Sequence, residues 1–379
     1  MLKMIKRAIL EPILNKLIQS NKIIVIYGAR QVGKTTLANQ IIDRLNLKTL
    51  KINADELKYH EVLSSRDLDK MKSLVSGYGL LLVDEAQRIE NIGVNLKILA
   101  DGLKDLKIIA TGSSSFDLAN KIKEPLTGRA WTYNLHPLSF LELSMERNNF
   151  ELNGLLENFL VYGGYPEVFT AENLQDKKKL LEEIAASYLY KDIIELESVK
   201  KSEKIYKLLK LLAFQIGQEV SVYELAVNLE LGSATVRKYL DLLEKSFVIF
   251  RLPALAKNPR KEIAKKDKIY FYDLGIRNVL ADNFNSLSNR NDQGALFENF
   301  LVAERLKKIK YKEETVFSYF WRAYTGSEVD YVEERAGKFS GYEFKYGLGK
   351  ARLPQKFLVE YNKPEFKLIN RDNYLEFVL

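Results

Sequence analysis

Residues 28–35 read Gly28-Ala-Arg-Gln-Val-Gly33-Lys34-Thr35, two glycines, a lysine and a hydroxyl at the spacing G-x-x-x-x-G-K-[ST]. At ordinary residue usage these fixed positions meet by chance in roughly one chain of this length per hundred. A glycine turn that opens a helix aims several backbone N–H groups at one point, where the positive end of the helix dipole also favours an anion. Lys34 would neutralise terminal phosphates, the Thr35 hydroxyl would ligate Mg²⁺, and Gly28, Gly33 and Thr36 complete the nucleotide-binding set. The implied ligand is a nucleoside triphosphate, ATP with Mg²⁺.

Leu80-Leu-Leu-Val-Asp84-Glu85 is an apolar run ending in two adjacent carboxylates. Such a pair often begins a helix, where acids suit the dipole. Following a P-loop, it instead reads as Asp84 holding Mg²⁺ and Glu85 polarising the attacking water. Ile108-Ile-Ala-Thr111-Gly-Ser113 ends another run with hydroxyl side chains, and Thr111 or Ser113 would sense the γ-phosphate unless the segment is a plain turn. Phosphoryl transfer spreads charge over the γ-oxygens, so a late-arriving cation accelerates it. Arg129, in Leu126-Thr-Gly-Arg129, is the candidate, acting within the chain, across a subunit interface, or only in a surface ion pair.

A second constellation lies near the C-terminus. Glu298 sits in a helical pattern, Asp330 closes Gly326-Ser-Glu-Val-Asp330, and Glu343-Phe-Lys345 follows on the next strand pattern. Strand positions two apart share a face, so Glu343 and Lys345 project together. Asp330 with Glu343 would hold Mg²⁺ through oxygen, while Lys345 would orient water or stabilise a pentacovalent phosphate. Alternating charge on an exposed strand is commonplace, so the ordered set counts for more than the E-x-K triplet. Like charges about 4 Å apart repel by about 4 kcal/mol at an effective dielectric of 20, so acids that converge without metal should bind a cation or take up a proton.

Between these sites, Val222-Tyr-Glu-Leu-Ala-Val-Asn-Leu229, a turn at Glu230-Leu-Gly232, and Ser233-Ala-Thr-Val-Arg-Lys-Tyr-Leu read as helix-turn-helix. Val236, Leu240 and Leu243 recur at helical spacing, which leaves Thr235, Arg237 and Lys238 near the exposed start of the second helix, where a recognition helix meets a major groove. The loop carrying Lys257, Arg260 and Lys261 would form a wing touching phosphates. Winged helices also serve as packing or protein-binding modules.

The elements that must position these residues are legible from periodicity. Short apolar runs at 22–27, 49–52, 79–84 and 106–111 alternate with helix-length segments, implying an α/β fold: a P-loop parallel sheet with helices on both faces. Residues 138–197 read mostly helical, broken at Tyr162-Gly-Gly-Tyr-Pro166. Residues 283–293, rich in Asn, Ser and Asp, read as a linker or mobile loop before a helix from Gly294 and several strands.

At 379 residues the chain is long for one core. The expected organisation is a P-loop domain over 1–145, a helical connection over 146–200, a winged-helix domain over 201–282 and an α/β nuclease-like domain over 283–379. Composition is globular, 46% hydrophobic and 28% charged. The lack of cysteine excludes a disulfide framework and thiolate metal sites, and only two histidines, His60 and His136, leave little for a zinc site or a histidine-based triad, so a metal here should be held by oxygen. A net charge of +8 favours polyanions, though lysine enrichment also has other causes. Glu11 and Pro12 interrupt the apolar start, and no apolar run approaches 18 residues, so a cytoplasmic protein without membrane contact is expected.

The order of motifs resembles prokaryotic AAA-type ATPases, found in archaea and bacteria, whose C-terminal domain resembles the restriction-endonuclease fold. The resemblance rests on residues 28–35 and 80–87, Thr111-Gly-Ser-Ser, Leu126-Thr-Gly-Arg129, His136-Pro-Leu-Ser-Phe140, Gly163-Gly-Tyr-Pro166, Phe271-Tyr-Asp273 and the C-terminal acids. It implies a D…(D/E)-x-K site with Glu298 as the auxiliary helix acid. The expected partners are nucleic acid, DNA foremost, and a second copy or partner protein. The rival is a regulatory ATPase switch whose C-terminal modules bind and cut nothing.

Overall fold

Five short strands form one parallel sheet: β1 (Ile23–Tyr27), β2 (Thr49–Asn53), β3 (Leu80–Asp84), β4 (Lys107–Gly112) and β5 (Ala130–Asn134), in the order β2-β3-β4-β1-β5. The structure, a computed structural model, describes residues 5–113, 126–187, 202–256, 266–324, 326–347, 349 and 354–379. Every residue of β1 is buried, as a strand between helical layers requires. The flanking helices turn apolar stripes to it: Leu37, Ala38, Ile41 and Ile42 on Lys34–Leu45, and Ile13, Leu14 and Leu17 on Leu10–Gln19.

β5 was not among the expected strands. It is an edge strand paired only with β1, and its Ala-Trp-Thr-Tyr-Asn sequence buries just one residue fully, so it lacks the apolar run that marks β1, β3 and β4. The ammonium groups of Lys16 and Lys22 lie over the Trp131 ring, at 4.3 and 4.5 Å from its centroid.

The chain divides into two compact units, one from the N-terminus to His136 with Lys245–Phe247, the other Pro137–Glu244 with Val248–Leu379. In the second unit, helices run from Asn149–Tyr162 through Leu174–Ser187, as the periodicity predicts. Three more follow, Ser202–Phe214, Val222–Leu229 and Ser233–Lys245, and then a two-stranded antiparallel ribbon, β6 (Ile249–Leu252) with β7 (Lys268–Phe271). A four-stranded mixed sheet, order β11-β10-β9-β8, closes the chain: β8 (Phe317–Arg322), β9 (Glu328–Arg335), β10 (Lys338–Phe344) and β11 (Glu365–Ile369). Its core packs Trp321, Val329, Val332 and Phe357, and the helix Gln293–Tyr311 is buried along most of its length.

Two motifs of the family resemblance are explained by packing. The Asp273 carboxylate caps the helix Leu274–Leu280 by accepting from Ile276 N–H, and it also accepts from Gly164 N–H at 2.7 Å. A Cβ at Gly163 would stand 2.1 Å from Asp273 Oδ1, and its φ of +72° is the left-handed region. Gly-Gly-Tyr-Pro and Phe-Tyr-Asp are thus the two halves of one joint.

Residues 283–293 are not a free linker. The buried Arg290 guanidinium donates to Asn283 O, Asn278 Oδ1 and Asp292, and Arg277 donates to Asp292 as well. A polar sequence resembles a loose loop until its buried cation is recognised, because burial of Arg290 is invisible in composition.

Candidate functional site

The P-loop lies between the end of β1 and the helix Lys34–Leu45. Gly33 caps that helix in the left-handed conformation, and the first intrahelical bond runs from Leu37 N–H to Gly33 O, so the N–H groups before it have no partner within the helix. Gly28 is fixed by a close approach: after β5, Leu135 donates its N–H to Tyr27 O at 2.7 Å, and a Cβ on Gly28 would stand 2.3 Å from Leu135 O. Lys34 is buried and folds its ammonium onto Gly28 O at 3.0 Å and Ala29 O at 2.9 Å. Thr35 and Thr36 are exposed at the start of the helix.

Because β4 separates β1 from β3, the end of β4 stands beside both the P-loop and the Asp84-Glu85 segment. Thr35 Oγ1 donates to Asp84 Oδ2 at 2.7 Å, and Thr111 Oγ1 donates to Asp84 Oδ1. Glu85 takes a left-handed backbone (φ 52°), rare for a residue with a side chain and a recurrent feature of active sites. Its carboxylate accepts from Gln87 Nε2 at 2.5 Å, and the same nitrogen donates to Ser113 Oγ at 3.1 Å. Gln87 therefore ties Glu85 to Ser113. It was not among the expected site residues, though it lies three residues after Asp84 in a motif already noted.

The residues present fit ATP with Mg²⁺. Lys34 and the open helix terminus supply donors for phosphate, and the Thr35 hydroxyl beside the Asp84 carboxylate supplies hard oxygen for Mg²⁺. Arg7, outside every motif, completes the frame: its buried guanidinium donates to Val32 O at 2.7 Å and to His136 O at 2.6 Å.

Arg129 does not join this group within its own chain. Its carbonyl accepts from Ile23 N–H at the start of β1, whereas the P-loop leaves the end of β1. Its guanidinium instead pairs with Asp101 at 2.9 Å, both side chains nearly half exposed. Of the three roles left open for Arg129, the structure shows the surface ion pair, and the start of β1 that it adjoins is at the other end of the strand from the P-loop.

In the C-terminal sheet and the helix Gln293–Tyr311, the charges of Glu298 and Glu343 both act on Asp330, and each of the three acids has a protein donor. Asp330 Oδ2 accepts from Phe344 N–H at 2.8 Å. Glu343 is held by Lys345 at 2.8 Å. Glu298 Oε1 accepts from Tyr270 Oη at 2.6 Å and from Lys268 Nζ at 3.1 Å, and Lys268 also pairs with Glu328 at 2.5 Å. Burial and then the charge of Glu298 push Asp330 up to about 7, against the pull of Lys268. Lys345 is raised by its bond to Glu343. Among the described residues no three Asp, Glu or His side chains are grouped so as to hold a metal ion. The expected Mg²⁺ ligands Glu298, Asp330 and Glu343 are each engaged by protein donors, and a lysine absent from the motif has entered the cluster at Glu298. Both outcomes expected of metal-free acids, a bound cation and a proton-seeking carboxyl, occur together.

Arg237 and Lys238 are exposed on the helix Ser233–Lys245, with Thr235 half-buried. Arg237 lines a cavity of about 450 Å³ with Ser221, Tyr223, Arg251, Lys266 and Asp267. Lys257, Arg260 and Lys261 lie outside the described residues. No described helix is long and apolar enough to cross a membrane.

Residues 20–144 match the model of an AAA domain. This supports an AAA-type ATPase. Residues 153–287 and 293–372 match two domains of unknown function, DUF8612 and DUF4143. An uncharacterised protein of Mycobacterium tuberculosis is 28% identical over 329 residues, covering 85% of this chain and 70% of its own. One of Methanocaldococcus jannaschii is 28% identical over 335 residues, covering 82% and 72%. Among solved structures, the Walker-type ATPase PABY2304 of Pyrococcus abyssi aligns with a TM-score of 0.48 at 18% identity, over 72% of this chain and 94% of that one. The RuvB Holliday junction branch migration motor of Thermotoga maritima aligns at 0.33 and 15%, over 69% and 95%.

Proposed function

We propose that the AAA-type domain binds and hydrolyses ATP, and that its nucleotide state controls two downstream modules that engage nucleic acid. The observation that carries the hydrolytic reading is the chain Thr35–Asp84–Thr111, which assembles the helix start, the acidic strand and the end of β4 around one carboxylate. In this reading Lys34 would hold the phosphates, Asp84 with Thr35 would hold Mg²⁺, and Glu85 would orient the attacking water. Bound Mg²⁺ would neutralise charge on the phosphate oxygens. The test measures nucleotide binding and inorganic phosphate release side by side. Lys34→Ala should lose binding, while Glu85→Gln should keep binding and lose release; normal turnover in Lys34→Ala overturns the reading.

For the second unit we read the three helices and the ribbon as a winged helix, with Arg237 and Lys238 as phosphate or base contacts. DNA affinity should then fall steeply with salt, and removing both charges should lower the salt slope by about 2. Affinity unchanged by salt and by that double replacement removes the groove-reading role.

A second reading is favoured by one contact. The ion pair from Lys268 to Glu298 supports C-terminal modules that bind without cutting, as in a regulatory switch. Incubation of the chain and its Lys345→Ala form with DNA and RNA, in Mg²⁺ or Mn²⁺, separates the two. Cleavage lost with Lys345 supports the nuclease, and no cleavage by either supports the switch.

A further inference from the structure

Lys268 is 4% exposed, a rare state for a lysine unless its charge is met. It is met by carboxylates from two elements of the C-terminal domain: Glu298 on the helix Gln293–Tyr311 at 3.1 Å and Glu328 at the start of β9 at 2.5 Å. Asp330, one pleat further along the same face of β9, also acts on it electrostatically. Burial alone would lower its basicity, yet these acids together hold Lys268 above the ordinary lysine range.

The lysine is firmly carried. β7 pairs with β6, Lys268 bridges to Glu219, and the segment after β6 is stitched to β8 by Leu255 N–H to Phe320 O at 2.7 Å. Tyr270, two residues on and on the same face, donates its hydroxyl to Glu298. The ribbon therefore delivers one cation and one hydroxyl donor to the helix acid that the D…(D/E)-x-K resemblance reserves for metal.

We propose that Lys268 is the resident cation of this carboxylate cluster, an internal counter-ion that closes it to divalent metal and locks the ribbon to the C-terminal sheet. The cluster has the sequence of a metal-dependent site and the electrostatics of an ion-paired joint. These carboxylates are not grouped to hold a metal while Lys268 lies among them; withdrawing the ammonium leaves the charges of Glu298, Glu328 and Asp330 unmet, so that they gain by closing on a divalent cation.

The test titrates Mn²⁺ into the full chain without nucleotide, reading free Mn²⁺ by electron paramagnetic resonance, so it is independent of ATP hydrolysis. The wild type and Asp330→Asn should bind Mn²⁺ equally, because the cluster contributes no site; tighter binding by the wild type overturns the proposal, and this arm needs no variant of Lys268. Lys268→Met should gain one site at least about 10-fold tighter, and adding Asp330→Asn should abolish the gain. Lys268→Arg should gain none. A folded Lys268→Met, judged by circular dichroism, with no added site also overturns it.

Discussion

Arg7 and Val32 stand 25 residues apart in sequence and are joined by a 2.7 Å hydrogen bond from the guanidinium to the P-loop carbonyl, while the same side chain reaches His136 O beyond β5. The loop that should receive phosphate is thereby clamped from behind by a residue of the N-terminal segment. A buried charged donor that loses its role leaves two carbonyls unpaired, at about 1–3 kcal/mol. Arg7→Ala should raise KM for ATP about 10-fold with a smaller effect on kcat, and Arg7→Lys should recover part of it. Steady-state phosphate release decides; an unchanged KM in a folded Arg7→Ala assigns the residue to stability alone.

Gln87 offers a different kind of test, because it touches Glu85 rather than the nucleotide. Glu85 already sits in a left-handed backbone, and the Gln87 amide, anchored on Ser113, fixes where its carboxylate points. As a positioning residue, Gln87→Ala should lower kcat about 10-fold with nucleotide affinity intact, whereas Glu85→Gln should lower it by about 10²–10⁴. If the two replacements are combined, the loss should match Glu85→Gln alone. Multiplying losses would show that Gln87 acts elsewhere.

These cases mark how far the sequence can be read. The P-loop, Asp84-Glu85 and the parallel sheet were legible because glycine spacing and fully buried apolar runs are local signals. Arg7, Gln87 and Lys268 were not, since each also has a partner 25 to 129 residues away that only the fold brings near. β5 escaped because an edge strand need not be apolar on both faces. The C-terminal acids lie on a helix and two strands, as the spacing predicts, yet Lys268 reaches Glu298 from the ribbon, which no spacing within the motif encodes.

Arg129 is a case where geometry restricts a plausible motif. Its contact with Asp101 is an exposed ion pair, of a kind worth about 0–1 kcal/mol. Arg129→Ala should therefore leave the melting midpoint nearly unchanged, and at protein concentrations too low for self-association its turnover should stay within about 2-fold of wild type. Turnover measured across a dilution series checks this. A loss that persists at the lowest concentration would mean that the arginine serves its own chain after all.

The pH dependence of stability gives a readout of the carboxylate cluster that requires no ligand. Asp330 is pushed from 3.8 to about 7, by burial first and the Glu298 charge second. A carboxyl whose pKa rises on folding is held protonated by the folded state over that interval, so stability should fall as pH rises from about 4 to about 7 and level off above. Each unit is worth about 1.4 kcal/mol, and since Asp330 keeps partial contact with water the observable drop is smaller, about 5 °C in melting midpoint between pH 5 and pH 8. Asp330→Asn keeps an oxygen to accept from Phe344 N–H but has no charge to lose, so its midpoint should vary less over the same range. Lys268 opposes the shift, and Lys268→Met should therefore enlarge the drop beyond that of the wild type. Parallel pH profiles for the wild type and Asp330→Asn would mean that the Asp330 carboxyl is solvated rather than buried.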